Sequence, residues 1–281
     1  MNNKYTLIGH PLGHSMSPMI HDGLFKIKGK NATYDLTDIA PENLKDNKDF
    51  LRSLSGFNIT IPHKVAVIDL IDEMSESAKR YNSVNCVANT NGKLIGYNTD
   101  CDGFLLSVKA NNMPIDKNVL LIGCGGVGRM MAIETVLHNG NLTIAYIPEA
   151  LEMAENLRKE ILQNVSPDAC VNTVPMDKIS GSFDMLINSS PVGMYPKSDN
   201  CPISDEIINN CGCAFDAIYN PVETLLVKKF REQGKIAVGG TAMLVYQAVK
   251  AHEIWNNDFY TNDEVNSIIK EVENKIISDF K

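Results

Sequence analysis

The sequence contains no apolar run near the roughly 20 residues that a membrane-crossing helix needs. No spanning segment is therefore expected. It also has no excess of positive charge: 26 Lys and Arg stand against 34 Asp and Glu, a formal net charge of -8 spread along the chain. An acidic chain without a basic stripe is a poor fit to nucleic acid or to an anionic membrane surface. There is no Cys-x-x-Cys. The seven cysteines are odd in number and irregular in spacing, which predicts reduced thiols in a cytoplasmic protein. The closest pair, Cys211 and Cys213, reads as packing and not as metal ligation. Met1–Lys4 runs directly into a strand-like segment with no apolar leader, so no secretory signal is expected. Internal repeats and low-complexity linkers are absent as well.

What remains is a chain of 281 residues, 44% hydrophobic and 21% charged. That is enough to bury a core without disulfide staples and to form two domains or one large one. Short apolar runs alternate with amphipathic stretches, the mark of an α/β protein. In the first hundred residues, strands are predicted at Tyr5–Ile8, Ala32–Leu36 and Phe57–Thr60. Ser17-Pro18 reads as an N-cap and first helical position, with the helix stopping near Gly29. Pro62 suits the entry to a helix carrying Val65, Ile68 and Leu70. Val84–Ala88 and Leu94–Tyr97 flank Asn91-Gly92, a strong two-residue hairpin signal.

A second pattern starts after a helix predicted at Asp102–Asn111. Val119–Ile122 is a buried strand and leads directly into Gly123-Cys124-Gly125-Gly126-Val127-Gly128, with a helix predicted to about His138. In that context each glycine has a task. Gly123 permits the sharp turn, Gly125 lets backbone approach a pyrophosphate, and Gly128 lets the helix lie close to the sheet. The free N–H groups at the helix start, including those near Gly126 and Val127, would face the phosphates. Further strands are predicted at Leu142–Ile147, Cys170–Val174, Met185–Asn188, Ala214–Ile218 and Ile236–Val238. A helix over Glu149–Gln163 would bury Leu151, Ala154, Leu157 and Ile161. This is the pattern of a doubly wound dinucleotide-binding domain. A glycine turn without a nucleotide, or the loop of a methyltransferase, would give the same local motif. Two helices are predicted from Thr241 to the end.

The second strand of such a domain normally ends in an acid that holds a ribose 2′-OH or an arginine that holds a 2′-phosphate. Here Ala145-Tyr146-Ile147-Pro148 supplies neither. Glu149 is the nearest acid, and it also suits a helix N-terminus. The absence of a cation tilts the expectation towards NAD, with Arg129 as the residue that would supply charge if NADP were preferred.

Polar clusters mark the first half. Ser15 and Ser17 lie beside a helix start, where hydroxyl and N–H groups can bind a carboxylate. Asn58–Lys64 and Asn98-Thr99-Asp100 lie at strand ends, the side on which open α/β sheets bind ligands, and Asn85 lies in the hairpin. Each alone also reads as ordinary loop chemistry. His10, His14, His21 and His63 fall in the same half, at spacings that match no zinc pattern. His63 reads as a solvated loop residue or a crevice residue.

Taken in order, Ser15-Met16-Ser17-Pro18, Asn58–Lys64, Ser83-Val84-Asn85, Gly96-Tyr97-Asn98-Thr99-Asp100, Asn188–Met194, Tyr219-Asn220-Pro221 and Gly240–Gln247 resemble the successive motifs of the shikimate dehydrogenase family. The resemblance implies an N-terminal α/β substrate domain over residues 1–101, completed by C-terminal helices 241–281. A Rossmann-like domain would occupy 102–240. It also implies reversible reduction of 3-dehydroshikimate to shikimate in aromatic amino acid (chorismate) biosynthesis. Lys64 and Asp100 would be the catalytic pair. Ser15, Ser17 and Tyr219 would hold the carboxylate, and Thr60, Asn85 and Gln247 the ring hydroxyls. Gly123, Gly125, Gly126, Val127, Gly128, Gly240 and Met243 would bind the cofactor, with no metal. The family default is NADP; the missing arginine at Ile147 sets NAD against it. The first motif carries two serines, which favours shikimate over quinate. Asn82-Ser83 and Thr241 depart from the family pattern near substrate groups. Quinate or aminoshikimate dehydrogenase, and a non-catalytic ligand sensor, are the competing readings. The expected partner is the small substrate alone, in a monomer or homodimer.

Overall fold

The computed structural model describes residues 3–13 and 15–279. His14, one of the four clustered histidines, lies outside the described residues. Two compact units form: Met1–Gly103 with Val245–Val272, and Phe104–Leu244 with Glu273–Lys281.

In chain order the first unit contains β1 (Asn3–Gly9), α1 (Ser17–Ile27), β2 (Ala32–Asp38), α2 (Lys48–Ser53) and β3 (Gly56–Ile59). Then come α3 (His63–Ala66), β4 (Glu73–Met74), α4 (Glu76–Tyr81), β5 (Cys86–Thr90), β6 (Lys93–Tyr97) and the start of α5 (Asp100–Ala110). Its six strands lie in the order β2-β1-β3-β5-β6-β4. β1 pairs parallel with β2 and β3, whereas β5 runs antiparallel to β3 and β6. Asn91 and Gly92 adopt φ values of 54° and 86°, the double left-handed turn that matches strand twist in a tight hairpin. Phe57, Leu51, Ile8 and Leu94 form the centre of the core. The predicted helix over Val65–Leu70 is one turn of α3 followed by a 3-10 segment, Val67–Leu70. The expected cap at Ser17 shifts by one position. Met16 is the N-cap, Ser17 is already helical, and Ser15 Oγ accepts the Ser17 N–H at 3.2 Å.

The second unit continues with β7 (Asn118–Ile122), α6 (Gly126–Leu137), β8 (Asn141–Tyr146), α7 (Leu151–Asn164), β9 (Val171–Pro175) and β10 (Phe183–Asn188). It closes with α8 (Asp205–Asn209), β11 (Cys211–Asp216), α9 (Leu225–Glu232) and β12 (Ala237–Val238). The chain ends in α10 (Thr241–Asn256) and α11 (Asn262–Asp279), which both units share. The sheet order is β12-β11-β10-β7-β8-β9, and every pairing is parallel. By order of appearance this is the 3-2-1-4-5-6 arrangement of a dinucleotide-binding sheet, with the ligand crevice at the carboxyl ends of β7 and β10. Leu120, Leu121, Leu186 and Ile187 are fully buried, because helices cover both faces of a parallel sheet. Leu151 departs from its predicted burial and is exposed. Pro148 opens a 3-10 turn first, so α7 starts two residues after Glu149 and only Ala154, Leu157 and Ile161 reach the core.

Candidate active site

Within the first unit, loops at strand ends bring together residues far apart in sequence. Lys64 Nζ donates to Asp100 Oδ2 at 2.7 Å. Asn85 Nδ2 donates to the other oxygen, Asp100 Oδ1, at 2.9 Å. Both carboxylate oxygens are thus engaged, and the Lys64 and Asp100 side chains keep 25% and 19% exposure. A small molecule can therefore reach the pair without the pair being loose in solvent. Lys64 is itself anchored, since its carbonyl accepts the Val84 N–H at 2.8 Å.

Asn85 is the centre of this arrangement and is buried. Its Oδ1 accepts the Thr99 N–H at 2.7 Å, and its Nδ2 also lies 3.1 Å from Thr99 Oγ1 and 3.5 Å from Gln247 Oε1. Behind it, Asn58 Nδ2 donates to the Asn85 carbonyl, and the Tyr34 hydroxyl donates to Asn58 Oδ1 at 2.8 Å. Ser17 hydrogen-bonds Tyr34 in turn. A continuous polar chain therefore runs from the start of α1 to Lys64. Thr60 is fixed at the end of β3, its N–H donating to the Ile8 carbonyl at 2.9 Å. Among the expected residues of this unit, Lys64, Asp100, Asn85 and Gln247 meet directly. Ser15 and Ser17 join each other at the helix start. The sequence reading assigned no role to Tyr34 and Thr99. Tyr34 stands outside every motif, and its hydrogen-bond partners Ser17 and Asn58 lie 17 and 24 residues away.

The histidines divide. His10 pairs with Asp38 at the surface, 2.7 Å apart. His63 is buried and not solvated as expected: its Nε2–H donates to the Ile39 carbonyl at 2.6 Å, because the ring turns inward as α3 begins. His21 is buried against Tyr34, with its Nδ1 3.0 Å from His252 Nε2. Burial holds the His21 imidazole well below its usual range and pushes His252 down to about 3, so both are neutral.

In the second unit Gly123 and Gly128 have the sharp turn and the close packing expected of them. Gly123 has φ +90°, and a side chain there would meet the backbone of Ser189 and Ser190. Gly128 presses against the Gly123 carbonyl and Ser189 Oγ, which leaves no room for a Cβ. Gly125 and Gly126 face open space, which a phosphate group fits and a side chain would fill. Val127 follows on the first turn of α6. Gly240 donates its N–H to the Ile218 carbonyl at 2.8 Å and packs on the Ala217 carbonyl, while Met243 is buried on the first turn of α10. Tyr219, in the loop after β11, is 39% exposed. Cys211 and Cys213 are buried in β11, and burial pushes their thiols up to about 12 and about 11.

The segment Tyr146-Ile147-Pro148-Glu149 at the end of β8 carries no basic residue. Ile147 is 54% exposed where a cation would be expected. A recess beside it is lined by Cys124, Arg129, Glu149, Glu152, Met153 and Glu160 among others. Its arginine is engaged, since Arg129 Nε lies 2.9 Å from Glu160 Oε2 and a second guanidinium nitrogen contacts Oε1.

Residues 7–87 match the family described as the shikimate dehydrogenase substrate binding domain. A shikimate dehydrogenase (NADP(+)) of Methanococcus aeolicus is 39% identical over 253 residues, 89% of this chain and 90% of that protein. A solved chorismate mutase/shikimate 5-dehydrogenase fusion protein from Clostridium acetobutylicum superposes with TM-score 0.86 at 33% identity, covering 99% of both chains. The Thermus thermophilus shikimate 5-dehydrogenase, solved with NADP(H) and shikimate, gives TM-score 0.82 at 27% identity over 96% of this chain and 99% of that one. With near full-length similarity at this identity, the chain belongs to the shikimate dehydrogenase family.

Proposed function

We propose that this chain catalyses the reversible, nicotinamide-dependent reduction of 3-dehydroshikimate to shikimate. The observation that carries the reading is the Lys64–Asp100 pair, 2.7 Å apart, partly open to solvent and braced by Asn85. A nicotinamide supplies or accepts the hydride. As a ring carbonyl is reduced, negative charge grows on its oxygen. The Lys64 ammonium stabilises that charge and donates the proton; in oxidation the amine takes the proton back. Asp100 holds Nζ in place, and Asn85 fixes the carboxylate from its other side. Thr60 and Gln247 are assigned to ring hydroxyls beside Asn85. Ser15 and Ser17 are assigned to the carboxylate. The unit holding the first sheet is the substrate domain and the parallel sheet the cofactor domain.

For the cofactor, we infer a preference for NAD over NADP. A 2′-phosphate near Ile147 would meet Glu149, Glu152 and Glu160, and the one arginine lining that recess is paired. Carboxylates without a free cation repel a doubly charged phosphate. The test is a matrix of shikimate, quinate and aminoshikimate against NAD and NADP, followed at the reduced-nicotinamide band. Turnover of shikimate, with NAD equal to or better than NADP, is expected. Failure to turn over any of the three substrates would sink the enzymatic reading, and a strong NADP preference would sink the cofactor assignment alone.

A further inference from the structure

Asp216, the last residue of β11, is fully buried. Its carboxylate is held by neutral donors alone. Asn188 Nδ2 and the Ile218 N–H donate to Oδ1 at 3.0 and 3.1 Å, and Thr224 Oγ1 donates to Oδ2 at 2.6 Å. Burial pushes its titration up to about 6. An amide of the same shape would carry no charge to desolvate, keeping its oxygen on Asn188 and Ile218 and donating its NH2 to a Thr224 hydroxyl turned to accept. A charge kept at such a cost belongs to the class of features that stability alone does not explain.

The donors come from the end of β10 and from both ends of the loop between β11 and α9. Asn188 ends β10, and its own Oδ1 accepts the Ser190 N–H and hydroxyl at 3.1 and 2.7 Å. Between them, Ser189 Oγ donates to the Gly123 carbonyl at 2.8 Å, which ties this segment to the glycine loop. Ile218 precedes Tyr219, and its carbonyl accepts the Gly240 N–H at the entry to α10. Thr224 caps α9 by accepting the Val227 N–H. The end of β10 and the β11–α9 loop thus meet on one carboxylate, and the entry to α10 is tied to that loop through the Ile218 carbonyl. They lie on the side of the sheet that takes the second mononucleotide half of a bound dinucleotide.

We propose that Asp216 is a positioning residue whose buried carboxylate shapes the β10 and β11 loops to grip the nicotinamide half of the dinucleotide, touching neither cofactor nor substrate itself. This rests on the dinucleotide reading of the second unit. A charged acceptor orients donors more strongly than a neutral one, so its loss should be felt by the nicotinamide half and not by the ADP half.

The test compares Asp216→Asn with the parent as full-length chains, measuring binding of NADH and of ADP-ribose, which lacks the nicotinamide, without substrate. The expected result is an NADH dissociation constant raised about tenfold, the size of one good hydrogen bond to a charged group, with ADP-ribose binding unchanged. Melting of the variant at pH 8 should be equal to the parent or higher. Unchanged binding of both ligands, or equal loss of both, would overturn the proposal. A parent that binds neither ligand would instead refute the dinucleotide reading beneath it. If the variant does not fold, the parent carries the same test: its ratio of NADH to ADP-ribose affinity should fall as pH drops below about 6. The titratable neighbours are the Cys201 thiol and Tyr219, both raised by burial and neutral throughout that range, with the Lys229–Asp205 and Arg231–Glu223 pairs on α8, α9 and the preceding loop. A constant ratio from pH 8 to 5 would overturn it.

Discussion

The buried imidazole of His252 makes this protein's stability depend on pH in a way that can be worked out. It lies on α10, five residues beyond Gln247, and contacts His21 on α1, four residues beyond Ser17. Below the ordinary imidazole value of 6.5, the unfolded chain takes up a proton that the folded chain refuses until about pH 3. The folded value is depressed, so the stabilisation is complete above 6.5 and is lost as pH falls towards 3. At pH 5 the loss from His252 alone is about 2 kcal/mol, and His21 adds to it with the same sign. Asp216 opposes this. Its folded value is raised to about 6, so its stabilisation is present below about 3.8 and is lost as pH rises through 6. Between pH 7.5 and 5 it returns about 1 kcal/mol. The raw pH dependence therefore mixes two signs, and a variant is needed to separate them. His252→Phe removes one titration while keeping an aromatic ring near Phe25 and Trp255. Urea unfolding can be followed by the fluorescence of Trp255, the only tryptophan in the chain, 5.8 Å from the His252 ring. Whatever the variant costs at pH 7.5, it should gain about 2 kcal/mol relative to the parent at pH 5. A difference in unfolding free energy that is the same at both pH values would refute the reasoning.

Two further outcomes are expected. Lys64→Ala should lower kcat by about 100- to 10,000-fold, the usual contribution of a proton-transfer group, with a smaller change in KM for shikimate; unchanged turnover would remove Lys64 from the chemistry. Gly128→Ala should weaken NADH binding and cost about 1–3 kcal/mol in a denaturant titration, because the new methyl meets the Gly123 carbonyl and Ser189 Oγ, and a variant with parental stability would show that the loop yields.

How far the sequence could be read depended on the range of the interaction. The hairpin at Asn91-Gly92, the strand before the glycine loop and the end of α1 at Gly29 were all legible, because φ preference and alternation act within a few residues. The inverted His63 ring was not, since its acceptor, Ile39, lies 24 residues away. The exposed Leu151 was missed for a local reason: the turn that Pro148 opens delays the helix and rotates it out of the predicted face.

By itself, the order of apolar runs and glycines determined the α/β class and the dinucleotide-binding pattern, and only the resemblance of the motif series to a known family named the catalytic candidates. Only the folded chain decided which polar groups meet: Lys64 with Asp100, Asn85 with Gln247, Arg129 with Glu160, and Asp216 with Asn188, Ile218 and Thr224. Periodicity tells which face of an element is buried; it carries no record of the element packed on the other side. Hydrogen-bond partners and the environments that shift protonation are set there, by contacts between residues tens to hundreds of positions apart.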